Sequence, residues 1–324
     1  MKKVVSILFC VLLIAGICSA QEKPLRMTFV TPLIAHPVWD VAREGFEDAC
    51  KEFNVECQYT GPQTIEPGTM INQMETAIVE RVDGLITMAM NPESWGPTLK
   101  KAEKTGVTVV LVGSDVPVEN GIPKYPRLAY VGTDEHALGV AGAQEIVKAL
   151  KGAAPKVITM QSTMDAAFAN KTRDAYLEVL SQQEGYELLA MEDCQSDMLI
   201  ALQKWEGLMK AHPDFNVAIG VCGECGPSAA KVAKEMGITD KLLIMSIDDV
   251  AETMDHVRND MVMGTMAQNF YGIGYQPVKL LVDYLRDGKK PEKDNYDSGS
   301  IFVSKENIDT YKEELKKSIE ITLK

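Results

Sequence analysis

Cysteines, histidines and paired carboxylates are the side chains of this sequence with the most chemistry to offer. Cys222-Gly223-Glu224-Cys225 has the spacing of a redox pair or of half a metal site. A zinc site would want a second such pair, or histidines close by. His36, His136, His212 and His256 show no clustering along the chain, so neither a metal nor a cofactor is expected. As an exported thiol oxidoreductase, the Cys222/Cys225 pair would need a lowered thiol pKa and access for a substrate. Glu192-Asp193 and Asp248-Asp249 are carboxylate pairs, but such pairs are too common to establish acid–base catalysis. No G-x-G-x-x-G follows a first strand, and G-x-x-x-x-G-K-[ST], G-x-S-x-G and H-E-x-x-H are absent. Nucleotide cradling has no support, and a binding protein is favoured over an enzyme.

The chain has 324 residues, 46% of them apolar and 24% charged. That is enough for two cores of roughly 120–150 residues each. The composition excludes a disordered chain, a collagen-like fibre and a small disulfide scaffold. Basic residues number 33 against 46 acidic ones, for a net charge of −13. Nucleic-acid binding wants a basic face, so no nucleic-acid partner is expected.

Lys2 and Lys3 precede a nearly unbroken apolar run over residues 4–17. Cys18-Ser19-Ala20 then places small residues before Gln21, the pattern of a secretory leader cut after Ala20. The run is short of the roughly 20 residues a membrane span needs. Lipidation of Cys18 is the alternative, opposed by the bulk of Ile17 before it. The expected compartment is the periplasm. Cys10 and Cys18 belong to this leader, which leaves Cys50, Cys57, Cys194, Cys222 and Cys225. An odd count leaves at least one thiol unpaired in a monomer, and the pairing among them stays open.

The elements that must position these groups alternate in type. Strand-like runs at residues 26–31, 55–59, 84–90, 108–112 and 128–131 are separated by helical patterns. Ala42, Phe46, Ala49 and Phe53 share one face of the first of these, a helix over Trp39–Phe53. A second series follows the break at Gly152-Ala153-Ala154-Pro155, with strands at 156–161, 186–191, 217–221, 242–247 and 262–267. Such alternation implies parallel sheets covered by helices on both faces, with right-handed crossovers. Two series of about five strands imply an α/β protein with two doubly wound lobes. Ligands of open parallel sheets sit beyond the carboxyl ends of the strands. That rule selects the loops at residues 32–39, 90–94, 113–116, 162–170, 194–197, 222–226, 248–250 and 268–271.

Several segments, taken in order, resemble the periplasmic sugar-binding proteins of ABC importers, nearest the ribose-, rhamnose- and autoinducer-2-type receptors. Phe29-Val30-Thr31-Pro32, followed by His36-Pro37-Val38-Trp39, is similar to that group's opening strand and turn. Tyr59-Thr60-Gly61-Pro62, Val82-Asp83-Gly84-Leu85-Ile86 with Asn91-Pro92, and Gly113-Ser114-Asp115-Val116-Pro117 resemble its next three strand ends. Val131-Gly132-Thr133-Asp134 with Gly139 looks like its first crossover and the helix after it. Ser246-Ile247-Asp248 and Ala267-Gln268 with Gly272-Ile273-Gly274 match its later segments. The resemblance spans about residues 25–305. It implies the type I periplasmic binding protein fold, with two lobes, a three-strand hinge and ligand in the cleft. The implied division is a leader at 1–20, a first lobe at 21–131 plus 269–297, and a second at 132–268 plus 298–324.

The same resemblance assigns candidate ligand contacts. Trp39 sits where the family stacks an aromatic ring on the sugar, although it could equally be the first core residue of its helix. His36 is a polar contact or a helix cap. Asp248 ends an apolar strand, where a carboxylate can take bonds from two hydroxyls, or it caps the next helix. Gln268 can donate and accept at once, which suits a hydroxyl pair or the hinge. Asn91 contacts ligand or starts a turn, and Asp115 contacts ligand or braces its loop beside Ser114. Three positions depart from the family. Gly113 stands where a sugar-binding Asp is common, and Cys222 where ribose-type members have Asn. The ribose-type arginine has no counterpart within residues 168–172, where Asn170 is the nearest polar candidate. These departures suggest a cleft less polar than ribose needs, suited to a sugar, deoxysugar, polyol or autoinducer-2-like ligand. The implied partners are an ABC permease and its ATPase, with the chain a monomer. A chemoreceptor or sensor kinase served by the same closure is the alternative. A sugar-responsive repressor is opposed by the leader and the acidic charge.

Overall fold

The computed structural model describes residues 24–64 and 66–322. The expected leader, with Cys10 and Cys18, lies outside the described residues. The chain runs β1 (Arg26–Val30), α1 (Pro37–Glu52), β2 (Glu56–Thr60), α2 (Pro67–Val79), β3 (Gly84–Thr87), α3 (Pro92–Thr105) and β4 (Thr108–Val112). A short hairpin of β5 (Val118–Glu119) and β6 (Ile122–Pro123) leads into β7 (Ala129–Gly132). Next come α4 (Glu135–Leu150), β8 (Lys156–Gln161), α5 (Ala167–Leu180), β9 (Glu187–Asp193), α6 (Met198–Ala211), β10 (Val217–Val221) and α7 (Cys225–Met236). The last part holds β11 (Leu243–Ile247), α8 (Ala251–Arg258), β12 (Gly264–Gln268), α9 (Phe270–Asp287), β13 (Asn295–Asp297), β14 (Ser300–Val303) and α10 (Tyr311–Thr322).

These strands form two six-stranded sheets, ordered β2-β1-β3-β4-β7-β13 and β9-β8-β10-β11-β12-β14. The two orders are the same when strands are counted within each sheet. Central strands read as continuous apolar runs because helices cover both faces. Thus β4 (TVVLV) and β10 (VAIGV) are buried almost throughout. One departure from the all-parallel expectation is β14, which pairs antiparallel with β12. An antiparallel edge strand on a parallel sheet is a common variation, and here it is the chain's last return between sheets. The β5–β6 hairpin has too few residues to show a period in sequence.

Helix packing explains two glycines. Helices α1 and α9 cross so closely that a Cβ on Gly274 would lie 1.8 Å from the Ala42 carbonyl oxygen. One on Gly45 would lie 2.1 Å from the Tyr271 carbonyl oxygen. Only glycine fits at either position, so this pair of helices is locked across the outer face of the first sheet. Below them Phe29, Phe46, Trp39 and Val110 form the core of that face.

The chain passes between the sheets three times: from β7 into α4, from β12 into α9, and from β13 into β14. The first two crossings leave the carboxyl ends of their strands. Thr133 Oγ1 donates to Gln268 Oε1 at 2.8 Å, which ties those two ends together. The carboxyl edges of both sheets therefore border one cleft, with the hinge as its floor. Hinge closure about a ligand is the motion this arrangement supports.

A disulfide joins Cys50, at the end of α1, to Cys57 in β2. It closes a short loop, with a sequence separation of 7. Chain-entropy restriction at that length is worth about 2 kcal/mol. Replacing both residues by Ser is expected to lower unfolding stability by about that amount. Urea titration would check this, and an unchanged midpoint would refute it.

Candidate ligand-binding cleft

Both sheets reverse strand order at their first strand, so each has a switch point beside β1 and β8 respectively. On the first lobe, the loop after β1 carries His36 and Trp39. His36 precedes α1 with extended backbone and makes no side-chain cap bond. Its Nδ1 is buried without a hydrogen-bond partner, which leaves it available to a ligand. Trp39 is packed into the core, edge-on to Phe29 and to Phe270, with ring centroids 6.4 and 5.8 Å apart. Its rim reaches the loop after β4, where Cη2 lies 3.7 Å from the Cβ position of Gly113. Gly113 adopts φ +65°, a left-handed conformation that favours glycine over the family's Asp.

Ser114 and Asp115 follow Gly113. Ser114 Oγ donates to the Ala89 carbonyl at 3.1 Å, pinning the β4 loop to the β3 loop. Asp115 accepts from the Val116 N–H at 2.8 Å and from Arg127 Nη2 at 2.7 Å. Burial raises the Asp115 pKa despite this pairing. Arg127 also reaches the Asp294 carbonyl, so Asp115 braces its loop against the segment leading into β13. Asn91 is exposed and caps α3, its side chain accepting from the Ser94 N–H at 3.3 Å. That bond uses only the carbonyl oxygen of its amide.

The second lobe supplies a denser polar set. Asp248 follows β11 at φ +66°. Gln268 Nε2 donates to Asp248 Oδ1 at 2.7 Å. With the Thr133 bond, this makes a relay from hinge to carboxylate that uses both ends of the Gln268 amide. Burial pushes the Asp248 carboxyl up to about 6, helped by repulsion from Asp249 and Glu224. One carboxylate oxygen is left for a ligand hydroxyl. Asp248 does not cap α8, whose N-cap residue is Val250.

After β8, Asn170 Oδ1 accepts from Gln161 Nε2 at 2.9 Å, and Asn170 Nδ2 donates to the Met164 carbonyl at 2.9 Å. Arg173 completes the group. Its Nη1 donates to Gln161 Oε1 at 2.7 Å and to Asn170 Oδ1 at 2.8 Å. Its side chain is only 12% exposed. The sequence pattern stops one residue short of Arg173, which the second turn of α5 carries inward to the β8 end. Ser162 borders the same edge with a buried Oγ that has no partner, and only its place in the loop at 162–170 marks it in sequence. Arg173 thus places a buried, cationic group at this edge, one residue beyond the stretch in which no arginine counterpart is expected.

Cys222 directly follows β10, buried beside Cys194 and Cys225. The three sulfurs lie within 4.8 Å of one another. Cys194, from the end of β9, is distant in sequence and could not be joined to the C-x-x-C pair by spacing alone. Hydrogen bonds from the other two thiols hold Cys194 well below the ordinary thiol range. Donation to Cys194 pushes Cys222 up, and burial pushes Cys225 up.

Two doubly wound lobes, three crossings and a polar cleft at the carboxyl edges define a hinged ligand-binding protein. Residues 27–290 match the periplasmic binding protein domain family, and the chain belongs to it. Among its relatives, the xylose/arabinose-binding protein XylF of Sulfolobus acidocaldarius is 23% identical over 88% of this chain and 72% of its own. The D-allose-binding periplasmic protein of Escherichia coli is 21% identical over 80% of this chain and 84% of its own. A solute-binding protein of Burkholderia graminis, solved with D-arabinose, superposes with a TM-score of 0.76 at 25% identity. That likeness covers 89% of this chain and 98% of the other. Among the described residues, no helix is long and apolar enough to cross a membrane.

Proposed function

We propose that the chain is an exported receptor that captures a monosaccharide in the cleft and presents it, lobes closed, to an ABC permease and its ATPase. The observation that carries this reading is the Thr133–Gln268–Asp248 relay, which couples the hinge to a carboxylate with an unused oxygen. Xylose, arabinose and allose in the names of the relatives favour a pentose or hexose with neighbouring hydroxyls. Asp248 accepts from one hydroxyl pair, while Arg173 and Asn170 donate to ring or hydroxyl oxygens. His36, Asn91 and Ser114 complete the polar contacts from the first lobe, with Asp115 holding their loop. Trp39 offers the rim of its ring to sugar C–H bonds. Phe168, 54% exposed in the first turn of α5, becomes the opposing apolar face when the lobes close. Cys222 borders the second-lobe wall.

The lobes divide as 21–131 plus 269–297 and 132–268 plus 298–324. The protein works as a monomer in the periplasm, and binds without turnover. A thermal-shift series on the mature chain with arabinose, xylose, ribose, allose, rhamnose and xylitol tests the reading. A sugar at 100-fold its dissociation constant stabilises the folded state by about 2.7 kcal/mol. One or two sugars are expected to raise the midpoint, each losing its effect in Asp248→Ala. A flat response to all six would overturn the proposal.

A further inference from the structure

Three cysteines from two separate segments meet in the second lobe, and sugar capture uses none of their pairings. Cys222 Sγ lies 2.7 Å from Cys225 Sγ, and Cys194 Sγ lies 3.5 and 3.6 Å from those two. We propose that Cys194, Cys222 and Cys225 form a three-thiolate site for a thiophilic divalent cation of the zinc class. The proposal does not rest on the sugar reading.

Geometry and charge both support it. Metal–sulfur bonds of about 2.3 Å put three thiolate sulfurs about 4 Å apart. Cys194 already stands near that distance from both partners. The remaining separation opens by rotation of Cys222, the one thiol of the three with any exposure, at 7%. Cys194 and Cys225 are fully enclosed, so the ion enters from the Cys222 side and keeps its fourth position there for water. Thiolate is a soft ligand, which selects zinc-class ions over magnesium or calcium.

Three thiolates around a divalent ion leave one net negative charge. Two helix N-termini converge on it. Cys225 is the first residue of α7, and Cys194 lies just before α6, whose N-cap is Asp197. Each helix start carries roughly half a positive charge, so the two together offset that residual charge. Gln195 and Ser196 both have φ +54°, which turns the backbone back on itself. The Asp197 N–H thereby donates to the Cys194 carbonyl at 2.9 Å, which fixes this turn before α6. Two successive non-glycine residues in the left-handed region are costly, and such strain concentrates at binding sites. Trp205 Nε1 donates to the Cys225 carbonyl at 2.9 Å, which fixes the start of α7.

The test uses the whole mature chain, reduced and freed of metal under anaerobic conditions, with the Cys50–Cys57 disulfide confirmed intact by mass spectrometry. Cadmium serves as the spectroscopic probe and zinc as the competitor. One cadmium per chain is expected, with a sulfur-to-metal charge-transfer band, proton release and a raised thermal midpoint. Zinc should displace it. Cys194→Ser and Cys225→Ser should each weaken binding by more than about 100-fold, beyond what changes outside the ligand shell cost. Circular dichroism and the metal-free midpoint establish whether each variant is folded. The rise in the wild-type midpoint stands on its own if a variant fails to fold. Three free thiols with no cadmium bound would overturn the proposal, as would undiminished binding by a folded Cys194→Ser. So would metal-insensitive oxidation of Cys222 and Cys225 to a disulfide.

Discussion

Asp248→Asn is expected to abolish sugar binding and, at neutral pH, to make the empty protein more stable. Both effects have one source. The carboxylate sits where burial, Asp249 and Glu224 all oppose its charge, so its pKa stands near 6. Asn removes that charge and keeps the shape. Its carbonyl oxygen still accepts from Gln268 Nε2, the bond that Asp248 accepts at 2.7 Å. At φ +66°, Asn is among the few non-glycine residues that sit easily. The ligand, however, loses a charged acceptor. A hydrogen bond to a charged group is worth about 1.5–3 kcal/mol, so two to one carboxylate amount to a drop in affinity of about 100-fold or more. Calorimetric titration reads that loss directly. A folded Asp248→Asn chain that binds with wild-type affinity would remove Asp248 from the site.

The stability gain has a definite pH window. Folding raises the pKa from the usual Asp value near 4 to about 6, so the folded state holds its proton more tightly than the unfolded chain. Stability from this group is therefore greatest below about pH 4, falls as pH rises, and is fully lost above the folded pKa of about 6. A rise of that size is worth about 3 kcal/mol as an upper bound. Wild type and Asp248→Asn should thus unfold alike near pH 4, with the variant ahead by several degrees at pH 7–8. Depressed carboxylates such as Glu93 and Asp214 slope the other way, but identically in both proteins, so the difference isolates Asp248. Sugar that needs the ionised acceptor should bind more tightly as pH rises through 6. Parallel melting curves from pH 4 to 8 would contradict this account.

The fold was legible in sequence because parallel sheets impose a strong pattern. Apolar runs such as Val109–Val112 can be buried on both faces only between helices. The turn residues between them, such as Asn91-Pro92, mark the carboxyl ends where ligands sit. What sequence could not reveal depended on direction and distance. Arg173 lies in the second turn of α5, and nothing in its neighbours tells whether it points to solvent or to Gln161. The antiparallel entry of β14 depends on how a short chain returns across a hinge. Cys194 lies 28 residues before Cys222. Only the parallel placement of β9, β8 and β10 brings those two strand ends to one edge. Asp248 and Gln268 were legible as ends of two strands, but not as two members of one relay, since their bond joins residues 20 apart with α8 between them.

Arg173 gives the second large effect, and it separates binding from bracing. Its guanidinium is enclosed, and Nη1 serves Gln161 Oε1 and Asn170 Oδ1 at once. Nη2 and Nε turn to Asp174. Gln161 is fully buried, so Arg173→Ala leaves its Oε1 without a donor, at a cost of about 1–3 kcal/mol in stability. Asn170 Oδ1 keeps its bond from Gln161 Nε2, so the β8 loop is expected to stay in place. Affinity for the sugar should fall by about 100-fold, because a charged donor fixed beside the cleft is gone. Arg173→Lys keeps the charge but not the planar fork, and one ammonium cannot reach Gln161, Asn170 and a ligand oxygen in the same geometry. It should bind weakly while recovering part of the stability. The two readouts therefore move apart: a donor to Gln161 governs folding, and the charged fork governs sugar. Calorimetry and thermal melts on both variants would measure this. If Arg173→Ala melts early yet binds sugar normally, Arg173 is only the brace that holds Asn170, and Asn170 with Ser162 must make the second-lobe contacts.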